Sequence, residues 1–179
     1  SHILGQKSHL DIHSTWLGAH DFPKGMENGD YVESLISDQL PAVTEQGYAK
    51  YCDVFCEPGW FTLEQTEEIV NAAKAHGLTP RLHVDEFVDG NGLQLAAELG
   101  AVSGDHVGHS SDDAREYASQ SGTMQTFLPG TPYVLGDRLN SPLRSCVENN
   151  WQFSLATDFN PNCRTLSIPF VGSLATHRL

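Results

Sequence analysis

What most restricts how this chain can fold is an alternation: short apolar runs of strand composition take turns with amphipathic helical stretches from residue 14 to residue 177. The strand-type runs are Ser14–Ala19, Cys52–Cys56, Arg81–Val84, Val102–Val107, Thr123–Leu128 and Gln152–Thr157. Helical patterns fall at Tyr31–Gln46, between Thr62 and Gly77, and at Leu93–Leu99, Asp112–Gln120, Pro142–Asn149 and Leu166–His177. Thr62 can cap its helix while Gln65 bonds back to the cap. Gly77, Gly100 and Gly122 stop three helices, and Pro129-Gly130 closes the fifth strand. Asp112-Asp113 places negative charge at a helix start. Six strands alternating with about six helices leave one economical arrangement, parallel strands joined by right-handed crossovers. The expected class is α/β.

Composition narrows the partners. With 39% hydrophobic residues in 179, the chain can bury a single core. Ten Lys plus Arg against 23 Asp plus Glu give a net charge of −13 without any basic run, which excludes nucleic acid and anionic membrane surfaces. No apolar run approaches the roughly 20 residues of a membrane span. Residues 1–20 carry no signal-peptide core, so the cytoplasm is the expected compartment. The four cysteines form no CxxC pair and read as reduced thiols. Cys52 and Cys56, four apart in a strand, share one face and are expected to pack as small apolar groups.

An alternating α/β chain can close toward a barrel or open into a doubly wound sheet, and the polar residues discriminate. Neither GxGxxG nor GxxxxGK[ST] occurs, so the phosphate loop of a nucleotide binder is missing. Instead, polar groups gather where strands end: His20, His83 to Glu86, Asp105 to His109, and Asp158. A barrel builds one site at its top face from such positions. His83 and Asp158 are ligand types for zinc, manganese or iron. Glu86, three residues beyond His83, can take a proton from water, and a neutral His106 can polarise a carbonyl or stabilise an oxyanion. Each has a plainer reading. His83 and Glu86 can be ordinary solvent-facing strand ends, and Asp158 can be an Asx-turn residue before Asn160-Pro161. Together they favour a metal-dependent hydrolase. His2, His9, His13, His76 and His177 lack such placement and read as surface residues.

Five stretches then carry a resemblance. Ser14 to His20 (STWLGAH), Asp53 to Glu57 (DVFCE), His83 to Phe87 (HVDEF), Leu128 to Pro132 (LPGTP) and Ala156 to Pro161 (ATDFNP) resemble, in order, the imidazolonepropionase family of the amidohydrolase superfamily. The resemblance implies a (β/α) barrel with one divalent metal, zinc or iron. It implies hydrolysis of the cyclic amide of 4-imidazolone-5-propanoate to N-formimino-L-glutamate in histidine degradation. Residue by residue, it implies His83 and Asp158 as metal ligands, Glu86 and His106 as catalytic residues, and His20, Asn160 and Asn162 near the substrate. Phe159, Pro129 and Tyr133 would wall the pocket.

The chain also departs from the family. It holds no His-x-His pair of the kind the family carries on its first barrel strand, and His9-x-x-x-His13 has the wrong spacing. The six strands are therefore expected to be strands three to eight of an eight-stranded barrel. On that reading, residues 1–179 form one partial barrel domain that lacks the first strands, the flanking β-domain and the basic residue for the propanoate. Asn162 and Cys163 stand where the family has Gly and a small hydroxyl residue. Open strand edges favour a homodimer. The alternatives are another amidohydrolase, such as a cyclic deaminase, or an inactive fragment.

Overall fold

The computed structural model describes residues 2–139 and 141–177. Six parallel strands form one sheet in the order β1-β2-β3-β4-β5-β6, each beside its sequence neighbours. They are β1 (Thr15–Ala19), β2 (Tyr51–Cys56), β3 (Thr79–Val84), β4 (Ser103–His106), β5 (Met124–Phe127) and β6 (Phe153–Leu155). Sequential parallel order joined by helices is the wall of a (β/α) barrel. All six expected strands are present, and the last three are shorter than the apolar runs that announced them. β3 begins two residues before the expected Arg81, with Pro80 inside it. The Pro80 carbonyl accepts from Val102 N–H, and because Pro80 lies at the strand's start its missing N–H removes no ladder bond.

The expected helix over 31–46 forms, but in three parts: α2 (Asn28–Ser34), a π-helical turn (Leu35–Gln39) and α3 (Leu40–Gln46). Pro41 explains the widening, since proline has no N–H and crowds the carbonyl four residues back. The capping box opens α4 (Leu63–Ala75) as read from sequence, with Thr62 Oγ1 accepting from Gln65 N–H and Gln65 Oε1 from Thr62 N–H. Next come α5 (Gly92–Glu98), α6 (Asp112–Ser121), α8 (Leu143–Glu148) and α9 (Ile168–Thr176). Two short helices were not expected: α1 (His2–Lys7), and α7 (Gly130–Leu135), where Pro129-Gly130 starts a helical turn as well as ending a strand.

The core lies between sheet and helices. Along β2 and β3, Cys52, Val54, Cys56, Leu82 and Val84 are buried on the helical side. Asp53, Phe55, Arg81 and His83 alternate with them onto the inner face. The cysteines are therefore buried free thiols, as expected. Close packing also fixes two glycines: a Cβ on Gly92 would lie 2.5 Å from Val84 Cβ, and one on Gly104 would lie 2.9 Å from Leu93 Cδ1. Helix α5 can press against β3 and β4 only because both side chains are absent. Among the described residues, no helix is long and apolar enough to cross a membrane.

Candidate active site

Polar side chains converge at the carboxyl ends of β1 to β4, and two of them arrive there by breaking the strand alternation. Trp16 pairs with Cys52 and Ala19 with Val54, so β1 spends three steps against two of β2. That bulge reverses the alternation beyond it and turns His20 toward the face that Asp53 occupies. Gly18 makes room: the Trp16 ring lies over it, where a Cβ would sit 2.5 Å from ring atoms, and Tyr31 donates to the Gly18 carbonyl at 2.9 Å. His106 has φ +76° and Val107 φ +47°. Alternation from its register partner Val84 would send His106 to the helical side, and the left-handed backbone turns it inward instead.

The resulting geometry is compact. Asp53 is 2% exposed and accepts a hydrogen bond from His83 Nδ1 at 2.8 Å. When His83 gives up its second proton, as on binding a metal, this bond keeps the remaining proton on Nδ1 and frees the Nε2 lone pair, the tautomer of a metal-ligating histidine held by a carboxylate. His20 stacks on Phe55 at 5.4 Å and meets the His83 ring edge-on at 4.6 Å. His20 Nε2 is 3.7 Å from Asp53 Oδ1, buried, and without a hydrogen-bond partner among the described residues. One donor atom each of His20, Asp53 and His83 lies within 4.8 Å of the others, a group that could hold a metal ion. Imidazole and carboxylate donors with one buried nitrogen unused fit a borderline divalent ion. The His106 ring is 5.2 Å from that of His83, and its Nε2 is 3.6 Å from Glu86 Oε2.

Asp158 follows β6 with φ +54° and accepts a hydrogen bond from the Thr131 hydroxyl. It stands outside the His20, Asp53 and His83 group, yet its charge acts on His20, His83, Glu86 and His106. Asn160 spends its side chain on its own loop: Nδ2 donates to the Asp158 carbonyl at 2.9 Å, and Oδ1 accepts from Asn162 and Cys163 N–H at 2.8 and 3.1 Å. Asn162 is exposed. The sequence-derived residues His20, His83, Glu86 and His106 are thus brought together, Asp158 joins them electrostatically, and Asn160 and Asn162 form the adjoining turn.

Burial sets the protonation of the site. It holds His106 down at about 3, helped by the His83 charge, so this imidazole is neutral. It lowers His20 in the same way, again with His83. Burial alone would also depress His83, but the charge and hydrogen bond of Asp53 carry it up to about 9. Burial pushes Glu86 up to about 7, with Asp158 adding to it, the range of a carboxylate poised to exchange protons at neutral pH.

Two buried carboxylates build the loop that carries Glu86. Glu57 Oε1 accepts the Glu86 backbone N–H. Asp85 Oδ1 accepts from Gly90 and Gly92 N–H at 3.0 and 2.9 Å, and Oδ2 from Leu93 N–H at 3.1 Å and the Ser110 hydroxyl at 2.6 Å. A cavity of about 370 Å³ opens beside this loop, with Glu86, His106, His109, Pro129, Arg138 and Ser141 in its lining. Asp53 and Thr131 lay inside stretches already singled out from the sequence, but nothing there marked them as holders of His83 and Asp158. Arg138 lacked even that signal, because a lone arginine between helices is commonplace.

No protein-family model matches the chain. Among curated relatives, an imidazolonepropionase of Halobacterium salinarum is 42% identical over 170 residues, covering 93% of this chain and 40% of that protein. One of Staphylococcus saprophyticus is 39% identical over 181 residues, covering 100% of this chain and 43% of that protein. The chain thus spans about two fifths of the length of the curated relatives it matches. Among solved structures, guanine deaminase from C. acetobutylicum aligns with a TM-score of 0.70 at 14% identity, over 96% of this chain and 45% of that one. Adenine deaminase from Arthrobacter aurescens aligns at 0.69 and 14% identity, over 90% and 48%. These two share the fold.

Proposed function

This chain is a relative of the imidazolonepropionases, matching a stretch of about two fifths of their length, and on that premise we propose that it serves hydrolysis of the cyclic amide of 4-imidazolone-5-propanoate to N-formimino-L-glutamate in histidine degradation. The observation that carries the reading is the convergence of Glu86 and neutral His106, 3.6 Å apart, beside the His20, Asp53 and His83 group. His83 and Asp158 would hold a zinc or iron ion, with His20 and Asp53 adjacent. Such an ion brings the pKa of water toward neutrality and polarises a carbonyl.

Glu86 takes the proton of the attacking water, a task suited to a carboxyl lifted to about 7. His106, neutral and buried, donates its N–H to the amide oxygen as charge develops there. When the ring C–N bond breaks, Glu86 returns the proton to the departing nitrogen. His20 borders the ring, Asn160 and Asn162 shape the loop beyond Asp158, and Pro129 walls the pocket, whereas Phe159 and Tyr133, also expected there from the sequence, are exposed and do not line the cavity. Arg138, in the lining of the same cavity, supplies a cation for the propanoate carboxylate.

We read residues 1–179 as one partial barrel domain that acts on a small molecule in the cytoplasm as a homodimer, without nucleic-acid or membrane partners. Net charge −13 supports the absence of nucleic-acid and membrane partners, the four free thiols support the compartment, and the open edges of the six-stranded sheet support the dimer. The test is loss of imidazolonepropionate ultraviolet absorbance with this chain and added zinc or iron, beside Glu86→Gln. Metal-dependent turnover abolished in the variant is expected. Absence of turnover with either metal overturns the assignment, and turnover of adenine or guanine instead would place the chain with the deaminases.

A further inference from the structure

His106 and Val107 are consecutive left-handed residues at the end of β4, and neither is glycine. For a β-branched residue this conformation is a genuine outlier, which persists only when its surroundings impose it. On the amide side, Val107 N–H donates to the Val84 carbonyl at 3.0 Å. On the carbonyl side, Arg115 Nη2 donates to the Val107 oxygen at 2.5 Å.

Arg115 is an unusual donor for such a task. It projects from α6 into the core, is 1% exposed, and ranks among the largest fully buried side chains. Its described hydrogen-bond acceptors are the Val107 carbonyl and Gln125 Oε1, the latter at 3.1 Å, and its guanidinium stands 5.5 Å from the Phe127 ring centre. Gln125 Nε2 closes the circuit on the Arg115 carbonyl at 3.3 Å. A fully buried guanidinium is costly without a task that its geometry fits. Here its fork spans β5 and the turn after β4.

We propose that Arg115 is a positioning residue that clamps the left-handed His106-Val107 turn and thereby aims the His106 imidazole at the substrate carbonyl. The arginine touches no reacting atom and works through the Val107 carbonyl. Its relevance to turnover rests on the role given to His106 above.

The clamp can be tested with the chain alone, by urea unfolding of wild type, Arg115→Met, Val107→Gly and the double variant. Glycine adopts the left-handed turn without strain. Losing Arg115 lets Val107 relax out of the strained turn, a gain that glycine does not offer, so Arg115→Met should lower the folding constant about tenfold less in the wild-type background than in the Val107→Gly background. Additivity within about twofold would show that Arg115 merely fills the core, and would overturn the clamp. If Arg115→Met does not fold in either background, the same cycle is run with Arg115→Lys. Lysine keeps the charge but not the fork.

A second readout is turnover. Arg115→Lys should lower kcat about tenfold or more with KM changed less than about twofold, and Val107→Gly in that background should recover part of the loss. Parallel losses in both constants, without recovery, count against positioning. Coupling in the unfolding cycle from a wild-type chain with no turnover would overturn the functional reading while leaving the clamp. Turnover without coupling would overturn the clamp alone.

Discussion

Glu57 offers the sharpest test of the electrostatics in the loop that carries Glu86. It is 4% exposed, its Oε1 accepts the Glu86 N–H, and its Oε2 is buried without a hydrogen-bond partner among the described residues. Burial raises this carboxyl from the 4.5 of a free glutamate to about 7. At 1.36 kcal/mol per pH unit, ionising Glu57 in the folded protein costs about 3 kcal/mol more than in the unfolded chain. Below pH 4.5 both states keep the proton, and the penalty is absent. As pH climbs toward 7 the unfolded chain releases it first, so stability falls with rising pH, and above 7 the whole penalty is present. Glu57→Gln retains an acceptor for Glu86 N–H and cannot ionise. Compared by urea unfolding from about pH 4 to about pH 8, the variant should match wild type at the acid end. It should gain stability over wild type by up to about 3 kcal/mol at the alkaline end. Differencing the two proteins cancels His106, whose depressed imidazole has the opposite sign, while Glu86, which the Glu57 charge helps to raise, shifts in the same direction as the expected gain. A difference flat to within about 0.5 kcal/mol across that range would refute the reasoning.

Other expectations follow from neighbouring groups. If Glu86 is the base, kcat/KM in the free enzyme should rise with pH through about 7, because only its ionised form accepts a proton. A pH profile that is flat between about 5.5 and 8.5 would exclude Glu86 from that role. Asp85→Asn leaves the residue at φ +52° comfortable but removes the charge that four donors share. It should cost about 2–3 kcal/mol of stability, read from chemical denaturation. Arg138→Gln should raise KM for the propanoate substrate about tenfold or more and change kcat little. An equal KM would remove Arg138 from the carboxylate's surroundings.

How much of this could be read from residue types depends on whether each feature leaves a periodic or chemical mark. The apolar alternation from Cys52 to Cys56 and the Thr62 cap do so, and β2 and α4 stand where they pointed. His83, Glu86 and His106 were legible because ionisable groups at strand ends are few. The bulge before Ala19 was not: one inserted residue shifts the register while leaving the composition unchanged, and only the ladder with β2 reveals it. The turn at Val107 was hidden for the opposite reason. A valine advertises an extended strand, and the force holding it elsewhere comes from an arginine on the next helix. Asp53 was visible inside its motif, but its hold on His83 depends on which strands are neighbours.

The sequential strand order has a consequence for how the protein comes into being. Since every strand lies beside the one synthesised just before it, no unit must wait for a distant partner, and loop closure spans one β/α step at a time. On a ribosome the site is then written in order: His20 meets Asp53 as the second unit docks, His83 and its aspartate-held proton come with the third, and His106 swings in with the fourth. Asp158 arrives on the sixth. A nascent chain stalled partway would therefore carry a graded series of incomplete sites, each already holding the imidazoles synthesised so far.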